Sequence, residues 1–259
     1  MPLLATLASG QPTGKQLDFE VASIKPANPD GNESLSTDRA AGLHVANFPL
    51  RAIITFAYGI RDFQLADAPG WVDNERYDII AKIERAGNIA PAPDNPRAMT
   101  DDQRSTLDDQ FRERIRSLLA SRFGLIAHHE TRDQQVYALV VSKNANNKPG
   151  PKLKVASAQG EQYGFRGGRG GHNQGFAVTM DMLANELARI IGRPVSNKTG
   201  LTDKYDYVLE WTPDNAQSSD SLGPTIFTAL HEQLGLQLES LRAPVDTLVI
   251  DHVERPLPN

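Results

Sequence analysis

The stretch Pro69-Gly70-Trp71-Val72-Asp73-Asn74-Glu75-Arg76-Tyr77-Asp78-Ile79 returns, shortened, as Thr199-Gly200-Leu201-Thr202-Asp203-Lys204-Tyr205-Asp206-Tyr207. Working outward, Leu118-Leu119-Ala120-Ser121-Arg122-Phe123-Gly124-Leu125 returns as Ala229-Leu230-His231-Glu232-Gln233-Leu234-Gly235-Leu236. Val136-Tyr137-Ala138-Leu139-Val140-Val141 then returns as Val245-Asp246-Thr247-Leu248-Val249-Ile250. Three matches in one order imply two copies of a single unit. The period is too long for a solenoid repeat, so the copies are expected to be domains or half-domains.

The flanking pattern fills in that unit. Phe19–Lys25 alternates apolar and polar residues, as a half-buried strand does, and Pro26 ends it. The polar residues 27–41 read as a loop. A strand over Gly42–Asn47 leads to a helix ending at Tyr58, with Leu50, Ile53, Ile54 and Ala57 on one face. Phe63–Ala66 reads as a short strand and Tyr77–Ile83 as a longer one. Residues 86–100, with Pro91, Pro93 and Pro96, read as a linker-like excursion. A helix over Thr106–Phe123 carries Leu107, Phe111, Ile115, Leu118, Leu119 and Phe123 on its buried face. A hairpin follows, Leu125–Thr131 and Gln135–Ser142.

Asn144–Gly150 separates the copies. The second copy reads as a strand at Lys152–Ala156, a Gly-rich loop at Gly164–Gly175, a strand near Phe176–Val178 and a helix over Met180–Ile191. The strand Tyr205–Trp211, a polar loop at 213–223, a helix over Thr225–Leu234 and a hairpin of Gln237–Leu241 and Thr247–Val253 complete it. The expected fold is α+β: two similar β-α-β-β-α-β-β subdomains at 17–148 and 149–259, each a mixed sheet with helices on one face. Residues 1–16 are expected to be disordered or a signal remnant. Met1–Gly10 is short, apolar and ends in small residues, like the tail of a secretory signal, but lacks a basic start.

Composition narrows the function. The 259 residues carry a net charge of −5 and no basic stripe with interleaved aromatics, which argues against nucleic acid as a partner. No cysteine is present, which excludes disulfides, thiolate metal sites and cysteine nucleophiles. No apolar run reaches the roughly 18 residues that a spanning helix needs.

Phe19-Glu20-Val21-Ala22-Ser23-Ile24-Lys25-Pro26, Phe56-Ala57-Tyr58-Gly59-Ile60, Gly70-Trp71 and Arg76-Tyr77-Asp78-Ile79 resemble the signature of a soil-associated, acidobacterial-type bacterial domain family of unknown function. His128, Glu130-Thr131-Arg132, Val136–Val140, Lys198-Thr199-Gly200-Leu201-Thr202 and Val249-Ile250-Asp251-His252-Val253-Glu254 extend the match over residues 18–255. The resemblance implies an exported protein, periplasmic or extracellular, in some members joined to a membrane-bound metallopeptidase sensor. It implies no established activity. Asn197 stands where the family has an aspartate, and Asp203-Lys204 where it has Gly-Arg. In pattern, each half is also similar to the short N-terminal domain of secretins and TonB-dependent receptors, a protein-interaction module. That likeness bears on fold and not on function.

Residues present in both copies report the scaffold, so residues unique to one copy are the better site candidates. His128-His129-Glu130 is the densest polar cluster. On a strand, His128 and Glu130 share a face and His129 opposes them. A catalytic zinc needs a third ligand, for which His172, His231 and His252 are the candidates. The plain reading of the cluster is a cross-strand ion-paired face. Asp251-His252 has the composition of a carboxylate-oriented base, but strand neighbours do not face each other. In Gly164–His172, Arg166 and Arg169 with His172 could hold a phosphate or carboxylate on a glycine-rich backbone. The plain reading there is a mobile loop. Trp71 and Trp211 read as core residues.

The expected role is binding of a protein partner or small ligand at the cleft between the copies, or through an exposed edge strand. The alternative is an ester or phosphoester hydrolase, metal-assisted, with a divalent ion held by His128, Glu130 and His231 or another histidine. Sequence alone leaves the oligomeric state open.

Overall fold

Alternation in Arg76–Lys82 buries Tyr77, Ile79 and Ala81 and exposes Asp78, Ile80 and Lys82, so this strand has one core face. A computed structural model describes residues 17–28, 30–38, 41–83, 99–143, 150–157, 163–168, 170–213 and 223–256. The expectations for residues 1–16 and 144–149, and for most of 86–100 and 213–223, fall outside them. The described residues show an α+β fold, as expected. They form three four-stranded sheets and divide into two compact units, residues 1–128 with 248–259, and residues 129–247.

In the first unit, β1 (Val21–Pro26), β2 (Ser34–Asp38), β3 (Gly42–Pro49) and the strand Arg76–Lys82 make a sheet. Between them lie α1 (Leu50–Tyr58), the two-residue β4 (Leu65–Ala66) and the short α2 (Trp71–Asn74), which makes Arg76–Lys82 β5. The order is β1-β5-β3-β2, all antiparallel. The core joins the buried face of this sheet to α1 and to α3 (Asp101–Phe123), through Leu50, Ile54, Ile79, Phe111, Ile115, Leu119 and Phe123.

Two features here differ from expectation. The helix α3 begins at Asp101 rather than Thr106, because Thr100 and Gln103 form a reciprocal cap: the Gln103 N–H donates to Thr100 Oγ1 at 3.2 Å. Part of the expected loop 27–41 is the strand β2. It has no apolar alternation and exists through its pairing with β3, Leu35 opposite Val45 and Ser36 opposite His44.

The second unit holds β7 (Leu153–Val155), β8 (Gly164–Gly168), β9 (His172–Val178), α4 (Met180–Ile191), β10 (Val195–Asn197) and β11 (Tyr205–Glu210). Its sheet order, β7-β11-β9-β8, corresponds strand for strand to that of the first. The expected helix 225–234 is a single α turn, α5 (Ile226–Ala229), followed by a π-helical turn, Leu230–Leu234. Leu183, Leu187, Tyr207, Leu209, Leu230 and Leu234 make its core.

One local device occurs in both units. Ala46-Asn47 on β3 lies opposite Asp78, and Phe176-Ala177 on β9 lies opposite Asp206, so each ladder bulges at the repeated Tyr-Asp. Asn47 and Ala177 take positive φ, 58° and 48°. The Asn47 N–H donates to Asp78 Oδ1 at 2.9 Å and the Ala177 N–H to Asp206 Oδ1 at 2.7 Å. A carboxylate thus satisfies the amide that the bulge removes from the ladder.

The two expected hairpins are absent. Their residues form two long strands, β6 (Ile126–Val141) and β12 (Leu236–His252), paired with each other in the order β10-β6-β12-β4. The pair runs antiparallel: the Glu254 N–H donates to Phe123 O at 2.7 Å and the Ser142 N–H to Gly235 O at 2.9 Å. Neither expected turn, near Arg132-Asp133 and Arg242–Pro244, holds the Asn-Gly or Gly pair that closes a tight hairpin. The compact units therefore differ from the halves 17–148 and 149–259 in their last strands. In the first unit β4 pairs in parallel with Leu248-Val249 of β12. In the second, β10 pairs in parallel with Tyr137–Leu139 of β6.

Candidate functional site

Polar side chains of the first unit collect where β12 ends. His128 near the start of β6 meets Asp251 across the ladder, Nδ1 to Oδ2 at 2.8 Å. His252 Nε2 lies 2.8 Å from Glu254 Oε1. Asp251 therefore does orient an imidazole, but that of His128 and not of its neighbour His252. Half of each histidine side chain is exposed, so these are surface pairs.

Beyond His252 the chain forms a strap. The Glu254 N–H anchors it to Phe123 O, and Val253 packs on the core. Arg255 then reaches Glu75, its Nε donating to Oε1 at 2.8 Å and its Nη2 to the same oxygen at 2.6 Å. The guanidinium carbon lies 5.0 Å from the centre of the Trp71 ring. The Tyr77 hydroxyl donates to Glu75 Oε2 at 3.0 Å, and the Tyr77 ring meets Phe123 edge-on at 5.3 Å.

The Arg255 hydrogen bond holds the Glu75 carboxyl below its ordinary value. Burial, and then the bond to Glu75, push the Tyr77 phenol up to about 12. Together with Pro26, Ala27, Asn74, Arg76 and Pro256 these residues line an open cavity of ≈ 340 Å³. A smaller apolar notch, ≈ 10 Å³, lies beside the edge strand β2, walled by Leu35, Phe48, Ala52, Ile53, Phe56 and Ile115.

The other sequence candidates are placed as follows. Glu130 pairs with Arg132, and His129 Nδ1 lies 3.0 Å from Asp246 Oδ2, both on the second unit. His231 is exposed on the π-helical turn. His172 opens β9 opposite Gly168 and Glu210. Among the described residues no group of three or more His, Asp or Glu could hold one metal ion, so His128, Glu130 and a further histidine are not a ligand set there.

The Gly/Arg segment is an edge hairpin and not a loop. A Cβ on Gly167 would lie 2.3 Å from His172 O, and one on Gly175 would lie 2.2 Å from the Tyr207 ring. The glycines admit neighbouring strands and side chains to the backbone. Arg166 lies over the Phe176 ring at 5.3 Å. Arg169 lies outside the described residues.

One buried polar chain had no sequence signal apart from a Glu inside an apolar helix. Asn173, 1% exposed, donates to Glu186 Oε1 at 3.0 Å and accepts from the Tyr207 hydroxyl. Arg189 Nε donates to Glu186 Oε2 at 2.9 Å. Burial and the Glu186 charge raise the Tyr207 phenol. The chain ties α4 to β9 and β11, a structural use of charge.

Fold and site together define an α+β protein of two units whose unassigned surface features are an edge strand with an apolar notch and an open cavity beside Glu75 and Arg255. No helix among the described residues is long and apolar enough to cross a membrane. The chain belongs to the family described as protein of unknown function (DUF3738), whose model matches residues 51–253. No curated protein and no solved structure was found to match it.

Proposed function

We propose that the protein is a binding module that takes an extended peptide segment of a protein partner as an added strand beside β2. The observation that carries this is the edge itself. β2 ends the sheet β1-β5-β3-β2 and holds Ser34, Leu35, Ser36, Thr37 and Asp38, with no Lys, Arg or Pro. The other outer strands of the two unit sheets are guarded: β1 by Lys25 and Pro26, β7 by its length of three and Lys154, β8 by Arg166 and its glycines. Leu35 is 43% exposed and borders the notch, which at ≈ 10 Å³ has room for no ligand, so an added strand is expected to lay its apolar side chains against Leu35 itself. The matching sheet orders and the repeated bulge support an origin of the two units by internal duplication. We place this role in an exported protein, as the motif resemblance implies.

The test is panning of a displayed library of random ten-residue peptides on the purified chain. Peptides with alternating apolar residues are expected to be enriched. Their binding is expected to fall at least tenfold in Leu35→Asp and to stay unchanged in Val155→Asp on β7. No enrichment, or binding indifferent to Leu35→Asp, would refute the reading.

The His128–Asp251 contact favours a second reading, ester hydrolysis with His128 as a general base oriented by Asp251. Ester turnover lost in Asp251→Asn would support it, and a chain inert toward an ester panel would end it.

A further inference from the structure

We infer that the corner made by Trp71, Glu75 and Tyr77 is a receptor for a guanidinium group, filled by Arg255 of the same chain and open to exchange with an outside arginine residue or small guanidine. Two surfaces match the chemistry of a guanidinium, and a third group orients one of them. The Trp71 ring offers its face at 5.0 Å from the Arg255 guanidinium carbon. Both Glu75 oxygens accept, Oε1 from Nε at 2.8 Å and from Nη2 at 2.6 Å, and Oε2 from Nε at 3.0 Å. The Tyr77 hydroxyl, donating to Oε2 at 3.0 Å, sets the plane of that carboxylate. An ammonium has neither the fork nor the flat face for these partners.

The walls do not depend on their occupant. Trp71 and Glu75 come from α2 and its C-terminal cap, and Tyr77 from β5, where Phe123 meets its ring edge-on at 5.3 Å. The strap that brings Arg255 has its own anchor, the Glu254 N–H bonded to Phe123 O at 2.7 Å. Removing the Arg255 side chain therefore empties the corner and leaves the strap in place. Its side chain is 60% exposed and that of Glu75 38%, and ion pairs so exposed hold weakly, which makes the internal occupant displaceable. The cavity of ≈ 340 Å³ beside the corner leaves room for the body of an arginine residue. Arg76 in its wall, bonded to Glu33 and to Asn47 O, disfavours a second positive charge there.

The test is calorimetric titration of the full chain and its Arg255→Ala variant with N-acetyl-arginine amide, methylguanidine and N-acetyl-lysine amide. The variant is expected to bind the blocked arginine about two- to sixfold more tightly than the wild type, the penalty imposed by an internal competitor held no more strongly than an exposed ion pair. The lysine compound is expected to bind more weakly, and the double variant Glu75→Gln, Arg255→Ala to lose binding. Blocked arginine stronger than methylguanidine assigns the site to a peptide arginine, and the reverse order to a small guanidine. Circular dichroism checks that each variant is folded, with Arg255→Gln as the replacement if alanine disturbs the strap. A folded variant that binds neither guanidinium compound, or a double variant that binds as well as the single one, overturns the proposal.

Discussion

Replacing Asp206 by alanine removes the acceptor that satisfies the Ala177 amide at the bulge of β9. That bond is 2.7 Å long and its acceptor is charged and half-buried, so its loss is expected to cost about 1.5–2 kcal/mol. Ala177 also keeps its left-handed backbone, φ 48°, with nothing to hold it. The matched change, Asp78→Ala, cuts a 2.9 Å bond at an exposed carboxylate and is expected to cost only about 0.5–1 kcal/mol. The two tryptophans separate the effects, because Trp71 lies in the first unit and Trp211 in the second. Urea unfolding followed by fluorescence in Trp71→Phe and Trp211→Phe backgrounds follows each unit through its own tryptophan. Asp206→Ala is expected to shift the Trp211 transition, and Asp78→Ala to shift the Trp71 transition by less. As a control, Ala177→Gly relieves strain of about 1–2 kcal/mol at the cost of glycine entropy, so it should stabilise the second unit by about 0.5–1 kcal/mol. An Asp206→Ala variant whose Trp211 midpoint is unmoved, or an Ala177→Gly variant that destabilises, would refute the view that the carboxylate pins a strained bulge.

Two other outcomes follow from the same geometry. Tyr77 ionises late, and its raised pKa means the neutral form is favoured by folding. Its contribution is fully present below the ordinary tyrosine pKa near 10 and is lost as pH rises toward about 12; absorbance titration should show this phenol ionising earlier in Glu75→Gln, and an unchanged titration would contradict the assigned contact. Gly175→Ala places a Cβ 2.2 Å from the buried Tyr207 ring, which Asn173 holds in place. The substitution should cost about 1–3 kcal/mol in the Trp211 transition, and a neutral effect would mean that the ring is free to move.

Much of this fold is legible locally. The alternation of Arg76–Lys82 and the apolar face of Met180–Ile191 are properties of short segments, and both elements form where those patterns place them. The start of α3 was also open to reading, in the Thr-x-x-Gln of Thr100–Gln103, though the proline-rich residues before it draw attention away. The strand β2 had no pattern of its own to read, because its residues are polar and only β3 makes them a strand. The site shows the same limit. His128 reads as part of His128-His129-Glu130 and Asp251 as the neighbour of His252, while 123 positions separate the two partners of the 2.8 Å contact that the fold makes. Arg255, Glu75 and Trp71 gave no signal as a group. In the sequence Trp71 reads as a core residue, while in the fold it is half-buried beneath a guanidinium.

The sequence by itself determined the α+β class, two sheets with one core face each, the positions of most helices, and the repeated Tyr-Asp that marks both bulges. These depend on side-chain periodicity and on the backbone preferences of neighbouring residues, which act within a few positions. Tertiary structure alone decided that β6 and β12 pair with each other rather than folding back on themselves. No local rule distinguishes a long strand with a polar middle from a hairpin lacking its turn. The choice rests on which distant strand satisfies the backbone hydrogen bonds, and that same choice brings His128 to Asp251 and carries Arg255 to Glu75.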